Sequence, residues 1–280
     1  MRVFVAVSLL WLAAACANAQ PAPTTAIGPR VEQLQSLDGA PLEAHVFDPG
    51  PSAEPRAAIV VFHGGGWYMG DPTWAYGRAQ RYAGLGLVAI AAQYRLASEQ
   101  NTVSPIDAVA DARAQIAWLR ANAARLNVDP ARIAVYGWSA GGHLAVAAAQ
   151  ARDPASRPDA LVLLSPAVDL ERDGWFARLI GPERRAEDYS PLRHVQAGMP
   201  PILILQGDVD TVTPLAGAEA FCSAVQGAGN FCELAVYRGY GHLFTPAGKD
   251  DSGFPEPDAA TSAAADERAD RFLRERGFLE

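Results

Sequence analysis

The 280-residue chain predicts an α/β fold, with a mostly parallel central sheet and helices on both faces of the sheet. Short apolar runs, such as A-A-I-V-V-F at 57–62, alternate along the chain with longer helical segments. The runs are almost continuously apolar, which is typical of strands buried on both faces. Half of the residues are hydrophobic, so the chain can build one large core.

The strands are predicted from these apolar runs and from turn residues. The first two, 32–37 and 42–47, flank the turn dipeptide Asp38-Gly39. Later strands are expected at 57–62, 88–93, 132–136, 160–164, 201–206 and 233–237. Helices are expected at 105–123, 142–151, 215–225 and 259–276. Because strands and helices alternate, most of the sheet should be parallel.

A glycine-flanked serine lies between the strand at 132–136 and the helix at 142–151. Residues 137–141 read G-W-S-A-G, which is the G-x-S-x-G pattern. The serine of this pattern occupies a sharp strand-to-helix turn, where a Cβ on either glycine would clash with the neighbouring elements. The turn exposes the Ser139 hydroxyl beside a helix N-terminus and makes it a candidate nucleophile. An ordinary glycine-rich connection has the same pattern, so the hypothesis needs partner residues.

A second glycine-rich loop, H-G-G-G-W at 63–67, follows the strand at 57–62. Its three glycines let the backbone approach a ligand and direct N–H groups into a pocket. Together with the N–H of Ala140, such a loop can bind the oxyanion of a tetrahedral intermediate. A phosphate-binding loop is the alternative, but the sequence has neither the P-loop Lys-Ser/Thr nor a G-x-G-x-x-G pattern here.

The general base is identified by elimination among five histidines. After a serine on such a turn, the chain supplies first the acid and then the histidine, which excludes the histidines before Ser139. His143 lies one turn beyond Ser139 on the same helix, where packing or capping is the expected role. His194 precedes the candidate acids. His242 remains, in a glycine-containing loop after the strand at 233–237.

Two aspartates compete for the role of the acid, because both follow the strand at 201–206. Asp210 lies further along the turn and can reach across to the next loop. Asp208, nearer the strand end, is expected to bond turn amides, so Asp210 is favoured. The acid would orient the imidazole and stabilise its charged form without taking the proton.

In these motifs the chain resembles the α/β-hydrolase superfamily, and within it the acetyl esterases, acetylxylan esterases and related carboxylesterases. The resembling stretches are at 63–67, 93–96, 129–145, 189–195, 206–214 and 239–244. The resemblance implies that the N–H groups of Gly65, Gly66 and Ala140 form the oxyanion hole, with the choice of glycines open by one position. A family pattern, G-x-x-D-x-x-x-P, falls on Gly207, Asp210 and Pro214 and supports Asp210 independently.

Two departures from hormone-sensitive-lipase-like members limit the resemblance. Trp138 stands before the nucleophile, where those members usually carry an acidic residue. The short segment before residue 63 leaves no room for a large helical cap, so a small cap or none is expected. Trp67 and Trp138, with Tyr68, are expected to line the cleft. Residues 169–198 break the alternation of elements, and two interpretations stay open: a small lid beside the acyl pocket, or a surface connection whose apolar side chains pack inward.

The activity implied is that of a serine carboxylesterase with a Ser139-His242-Asp210 triad. Its expected substrates are short-chain, acetyl-type esters of small molecules or carbohydrates. An arylformamidase or other amidase would use the same residues, and a non-catalytic binding protein on this fold is a further alternative. A net charge of −8 without basic clusters argues against nucleic-acid binding. No cluster of residues has metal-ligand spacing, so neither a metal nor a cofactor is expected.

The N-terminus predicts export. Residues 1–19 have a positive start, an apolar stretch too short to span a membrane comfortably and an A-x-A cleavage site, as in a signal peptide. The mature chain, 20–280, would then be a single α/β-hydrolase domain in the periplasm or outside the cell. A lipoprotein acylated at Cys16 is the alternative. Export leaves Cys222 and Cys232, for which we expect a disulfide rather than two buried thiols.

Overall fold

The structure is a computed structural model that describes residues 28–98 and 102–280. Across these two ranges, eight strands form one sheet. The strands are β1 (Arg30–Gln35), β2 (Pro41–Phe47), β3 (Arg56–Phe62), β4 (Val88–Ala92), β5 (Val128–Trp138), β6 (Ala160–Leu164), β7 (Ile202–Gly207) and β8 (Cys232–Tyr237). The α-helices are α1 (Tyr76–Gly84), α2 (Pro105–Ala121), α3 (Ala140–Ala149), α4 (Gly174–Ile180), α5 (Leu215–Gly227) and α6 (Ala259–Glu275).

The strand order is β1-β2-β4-β3-β5-β6-β7-β8. The pairs β1–β2 and β2–β4 are antiparallel, and all later pairs from β4 to β8 are parallel. The predicted α/β fold with a mostly parallel sheet is therefore confirmed. Because the parallel strands share one direction, the loops that follow β3, β5, β7 and β8 meet at one edge of the sheet.

Both faces of the sheet are covered, which explains why the strands are continuously apolar. In β3, Ala58, Val60 and Phe62 face a core that includes side chains of α2, α3 and α5. Ile59 and Val61 face the opposite core, which includes side chains of α1 and α6. Successive residues of one strand are thus buried on opposite sides, so neither face can be polar.

The structure adds two helices that the sequence does not predict, and it shifts the first strand. Helix α1 contains two glycines that weaken helix propensity, and packing of its Tyr82 against the sheet stabilises it instead. Helix α4 lies in the segment 169–198. Strand β1 ends at Gln35 because the buried Ser36 begins the turn: its N–H donates to the Ala40 carbonyl at 2.8 Å, and its hydroxyl donates to Asp111.

A disulfide joins Cys222 on α5 to Cys232, the first residue of β8. The two cysteines are 10 residues apart, and a loop of this size contributes about 2–3 kcal/mol to stability. The bond ties α5 to the strand that leads to His242. The expected signal peptide at 1–19 and Cys16 lie outside the described residues. None of the helices in the described ranges combines the length and apolarity that a membrane crossing needs.

Candidate active site

Ser139 occupies a strained turn between β5 and α3. Its backbone has φ 53° and ψ −121°, a conformation that L-residues rarely adopt. The two flanking glycines are required by close packing: a Cβ on Gly137 would collide with the carbonyl of Gly141, and a Cβ on Gly141 would collide with the carbonyl of Phe62. The Ser139 N–H donates to the Leu164 carbonyl at 3.0 Å and anchors the turn to β6.

The structure brings Ser139, His242 and Asp210 together from three separate loops. His242 Nε2 lies 3.0 Å from Ser139 Oγ. His242 Nδ1 lies 3.0 Å from Asp210 Oδ2 and 3.2 Å from Asp210 Oδ1. Both partners of the histidine are buried, so the hydrogen bonds are shielded from water. This arrangement can transfer the serine proton to the imidazole while the carboxylate holds the ring.

Asp210, and not Asp208, faces the imidazole. Its carboxylate also accepts the N–H of Thr213 at 2.7 Å and the Nε2 of Gln206 at 3.0 Å, which fix its orientation. Asp208 is partly exposed and accepts the N–H of Gly239 at 2.7 Å. Asp208 therefore bonds a loop amide, as its position near the strand end suggested.

The loop that carries His242 has a strained backbone, and residues outside the loop hold it in place. Leu243 and Phe244 have φ of 50° and 65°, in the left-handed region. The N–H of Leu243 donates to Ser165 Oγ at 3.2 Å. The buried Phe244 ring packs on Tyr237, with 4.7 Å between ring centroids. These contacts hold the imidazole toward Ser139.

The glycine loop at 63–67 lies directly against the nucleophile. A Cβ on Gly64 would come within 3.1 Å of the Ser139 Cβ. Gly65 and Gly66 have φ of 108° and 57°, which glycine adopts without strain. In the described part of the chain, their N–H groups donate to no protein acceptor. Ala140 is the first residue of α3, so its N–H has no acceptor within the helix.

Behind this loop, Trp67 and His143 form a buried pair. Trp67 is only 3% exposed, and its Nε1 donates to His143 Nδ1 at 3.2 Å. His143 Nε2 donates to the Tyr189 carbonyl at 3.3 Å. Phe176 packs against both rings, at 5.0 Å from Trp67 and 5.5 Å from His143. Trp67 thus borders the cleft but packs mainly beneath the loop, while His143 has the packing role expected for it.

Burial lowers the pKa of His143 to about 4. Its two hydrogen bonds suit the neutral ring, because Nδ1 accepts from Trp67 and Nε2 donates to the Tyr189 carbonyl. His143 therefore serves as a neutral connector between the glycine loop and the segment 169–198.

A cleft of about 520 Å³ opens at Ser139 and His242. Aromatic side chains form much of its wall: Tyr68, Trp74, Trp138, Trp175 and Phe254. A neighbouring cavity of about 380 Å³ shares Ala167, Asp173 and residues 211–213 with this cleft. Trp74 and Phe254 escaped the sequence analysis because neither belongs to a motif, and only the folded chain brings each to the cleft.

Helix α4 contributes side chains both to the cleft and to the core. Trp175 lines the cleft, and its Nε1 donates to the Gly66 carbonyl at 2.9 Å. The next residue, Phe176, is fully buried, as is Ile180. The segment 169–198 therefore contributes one side chain to the cleft beside the glycine loop and packs two others inward.

The fold and the turn that carries Ser139 define the class, since both are those of the α/β hydrolases. A family model described as alpha/beta hydrolase fold matches residues 59–246, and the chain belongs to this family. The resemblance to carboxylesterases and esterases is confirmed by relatives and by solved structures.

Among the relatives, the carboxylesterase NlhH of Mycobacterium tuberculosis is 35% identical over 136 residues, or 48% of this chain and 42% of NlhH. The esterase LipC of the same species is 31% identical over 195 residues, or 60% of this chain and 48% of LipC. The chain thus spans less than half the length of these curated relatives.

Solved structures match over almost their whole length. Thermogutta terrifontis esterase 2 phosphorylated by paraoxon is 34% identical, with a TM-score of 0.75 over 93% of this chain and 98% of that one. A butyrate-bound structure of the Thermogutta terrifontis esterase is 35% identical, with a TM-score of 0.75 over 90% of this chain and 95% of that one.

Replacing the acid should distinguish Asp210 from Asp208. We expect Asp210→Asn to slow labelling of Ser139 by a fluorophosphonate probe by up to about 10,000-fold, because the imidazole loses its orienting carboxylate. Asp208→Asn is the matched control and should label at nearly the wild-type rate. Equal losses in the two variants would contradict the assignment.

The buried His143 should make the protein less stable in acid. The unfolded chain binds a proton near the ordinary pKa of 6.5, whereas folded His143 resists protonation down to about pH 4. As the pH falls from 7 to 4, this one residue should lower the free energy of unfolding by up to about 3 kcal/mol. Urea unfolding across this range should show a shallower decline in His143→Gln, which cannot titrate, while the exposed His194→Gln control should follow the wild type.

Proposed function

We propose that this protein is a serine carboxylesterase that hydrolyses short-chain acyl esters through an acyl-enzyme intermediate. The observation that carries the proposal is the hydrogen-bonded series from Ser139 through His242 to Asp210, which opens on a cleft beside free backbone amides. Names of the relatives and of the solved structures support the same reaction class.

Acylation begins when His242 Nε2 takes the Ser139 proton and the oxygen attacks the ester carbonyl. The negative charge then forms on the carbonyl oxygen. The N–H of Ala140, at the N-terminus of α3, and those of Gly65 or Gly66 are the donors that would stabilise this charge. His242 next gives its proton to the leaving alcohol, and the acyl group stays on Ser139.

Deacylation follows the same path with water as the nucleophile. His242 takes a proton from water, and the tetrahedral intermediate forms against the same amides. Its collapse releases the acid and returns the proton to Ser139. Throughout, Asp210 holds the ring so that Nε2 faces Ser139, and it stabilises the imidazolium without being protonated.

The ligands of similar solved structures favour a short acyl group, and the size of the cleft is compatible with one. Propionate-bound and butyrate-bound structures are among those that resemble this chain. The cleft holds about 520 Å³, which is within the range for a small-molecule site. For the alcohol portion, the aromatic wall suits the apolar face of a sugar ring, so we extend the proposal to acetylated carbohydrates.

The first test is a series of p-nitrophenyl esters from acetate to palmitate. We expect activity to fall steeply beyond butyrate, and Ser139→Ala should lower kcat on the order of a million-fold because the acyl-enzyme cannot form. Paraoxon should inactivate the wild type and add its phosphoryl group to Ser139, as mass spectrometry of the peptide would detect.

Four outcomes would change the proposal. Full activity in Ser139→Ala would refute the nucleophile. Rates that rise with acyl length would exclude a short-acyl esterase. A wild type that labels at Ser139 but cleaves only N-formyl arylamines, such as N-formylkynurenine, would make the protein an arylformamidase. Failure both to label and to turn over any ester would favour a binding protein.

We further propose that residues 1–19 direct export and are then removed. The Cys222–Cys232 disulfide supports this proposal, because such bonds persist mainly in oxidising compartments. N-terminal sequencing of the protein isolated from its own cells should find Gln20 first. A first residue of Cys16 carrying lipid would support the lipoprotein instead, and an intact N-terminus would contradict export.

A further inference from the structure

A second buried carboxylate, Asp251, lies between the two loops that supply the acid and the base. We call residues 208–214 the acid loop and residues 239–245 the histidine loop. Asp251 precedes α6 and is only 6% exposed. Its Oδ2 accepts the N–H of Thr211 at 2.9 Å and the N–H of His242 at 2.9 Å. The Thr211 hydroxyl donates to the other oxygen, Oδ1.

We propose that Asp251 is a positioning residue of the active site, which holds the acid loop and the histidine loop together so that Asp210 and His242 stay aligned on Ser139. Thr211 directly follows Asp210, and His242 is the base itself. Because the two amides converge on one oxygen, separation of the loops would stretch at least one charge-assisted hydrogen bond. The proposal rests on the function proposed above.

Close packing supports a fixed position for this carboxylate. A Cβ on Gly241 would collide with Asp251 Oδ2, so the histidine loop and the carboxylate fit without spare room. Loop residues Leu243 and Phe244 are in the left-handed region, and such strain persists only where neighbouring structure holds it. Asp251 supplies that support at His242 itself.

Two further hydrogen bonds join the loops before His242 is reached: the Val209 N–H donates to the Tyr240 carbonyl at 3.1 Å, and the Asp208 carboxylate bonds the start of the histidine loop. Asp208 accepts the N–H of Gly239, three residues before His242, and is partly exposed. It therefore fixes the start of the histidine loop and not the residue that carries the imidazole. Loss of the Asp251 carboxylate should therefore disturb the alignment of Asp210 and His242 on Ser139.

Asp251 carries its charge at neutral pH. Burial by itself raises its pKa, but the hydrogen bonds from Thr211 and the His242 amide outweigh burial and lower the pKa below its ordinary value. A buried carboxylate without such donors would be costly. Its partners are two backbone amides and one hydroxyl of the two loops, which is the set that a connector between them requires.

The test compares Asp251→Ala with Asp251→Asn. Alanine removes all three hydrogen bonds. Asparagine keeps both amide bonds through its carbonyl oxygen, and its NH₂ can donate to the Thr211 hydroxyl, which also accepts. Asp250→Asn is the matched control, because Asp250 is exposed and its hydrogen bonds go to Ser252 and Gly253, which belong to neither loop. Asp251→Ser serves as the truncation if the alanine variant does not fold.

On p-nitrophenyl butyrate, we expect Asp251→Ala to lower kcat about 100-fold with a much smaller change in KM, because the reacting groups are misplaced whereas Asp251 is the one cleft-lining residue that is replaced. Asp251→Asn should recover most of the loss, and Asp250→Asn should match the wild type. A folded truncation variant with wild-type kcat would overturn the proposal. So would an asparagine variant that loses as much as the truncation.

Hydrogen exchange gives a readout that does not need turnover. Peptides covering 208–214 and 239–245 should exchange faster in the truncation variant than in the wild type, and Asp250→Asn should leave both unchanged. Unchanged exchange in the truncation variant would overturn the proposal. If the wild type hydrolyses no ester, the proposed function fails, and the exchange data still decide whether Asp251 holds the two loops together.

Discussion

The strained turn at Ser139 is the constraint on which the rest of the site depends. Its φ of 53° and ψ of −121° are held by a hydrogen bond to β6 and by contacts that only glycines at 137 and 141 allow. The turn points the hydroxyl away from the sheet and starts α3 beside it. The histidine bonds the Ser139 hydroxyl, the acid bonds the histidine, and the glycine loop lies against the Ser139 Cβ, so all three are arranged around this one position.

Two supports act on opposite sides of the nucleophile. Behind the glycine loop, Trp67 and His143 form a buried hydrogen-bonded pair, with Phe176 of α4 against both rings. On the other side, Asp210 and Asp251 bond the loops after β7 and β8. Every polar atom in these contacts has a partner, so the site combines low exposure with fixed geometry. Such a site can orient its reacting groups before substrate arrives.

Three aromatic side chains in the wall of the cleft come from separate segments of the chain, which share no sequence motif. Trp175 comes from α4, Trp74 from the segment before α1, and Phe254 from the segment before α6. Trp175 also donates to the carbonyl of Gly66, so the wall of the cleft and the glycine loop are physically connected. A change in this wall would therefore affect the amides near Ser139 as well as the space for substrate.

The sequence by itself determined the features that depend on local chain geometry. Continuous apolar runs predicted the buried parallel strands, because both faces of the sheet are covered, and the glycine spacing predicted the turn at Ser139. Only the tertiary structure decided what depends on distance between loops. It brought Asp251 to His242, and turned Phe176 inward and Trp175 outward. It also formed α1 despite its glycines. Residues outside the motifs, such as Asp251, reach the site only once the sheet aligns the loops, and no local pattern in the sequence marks them.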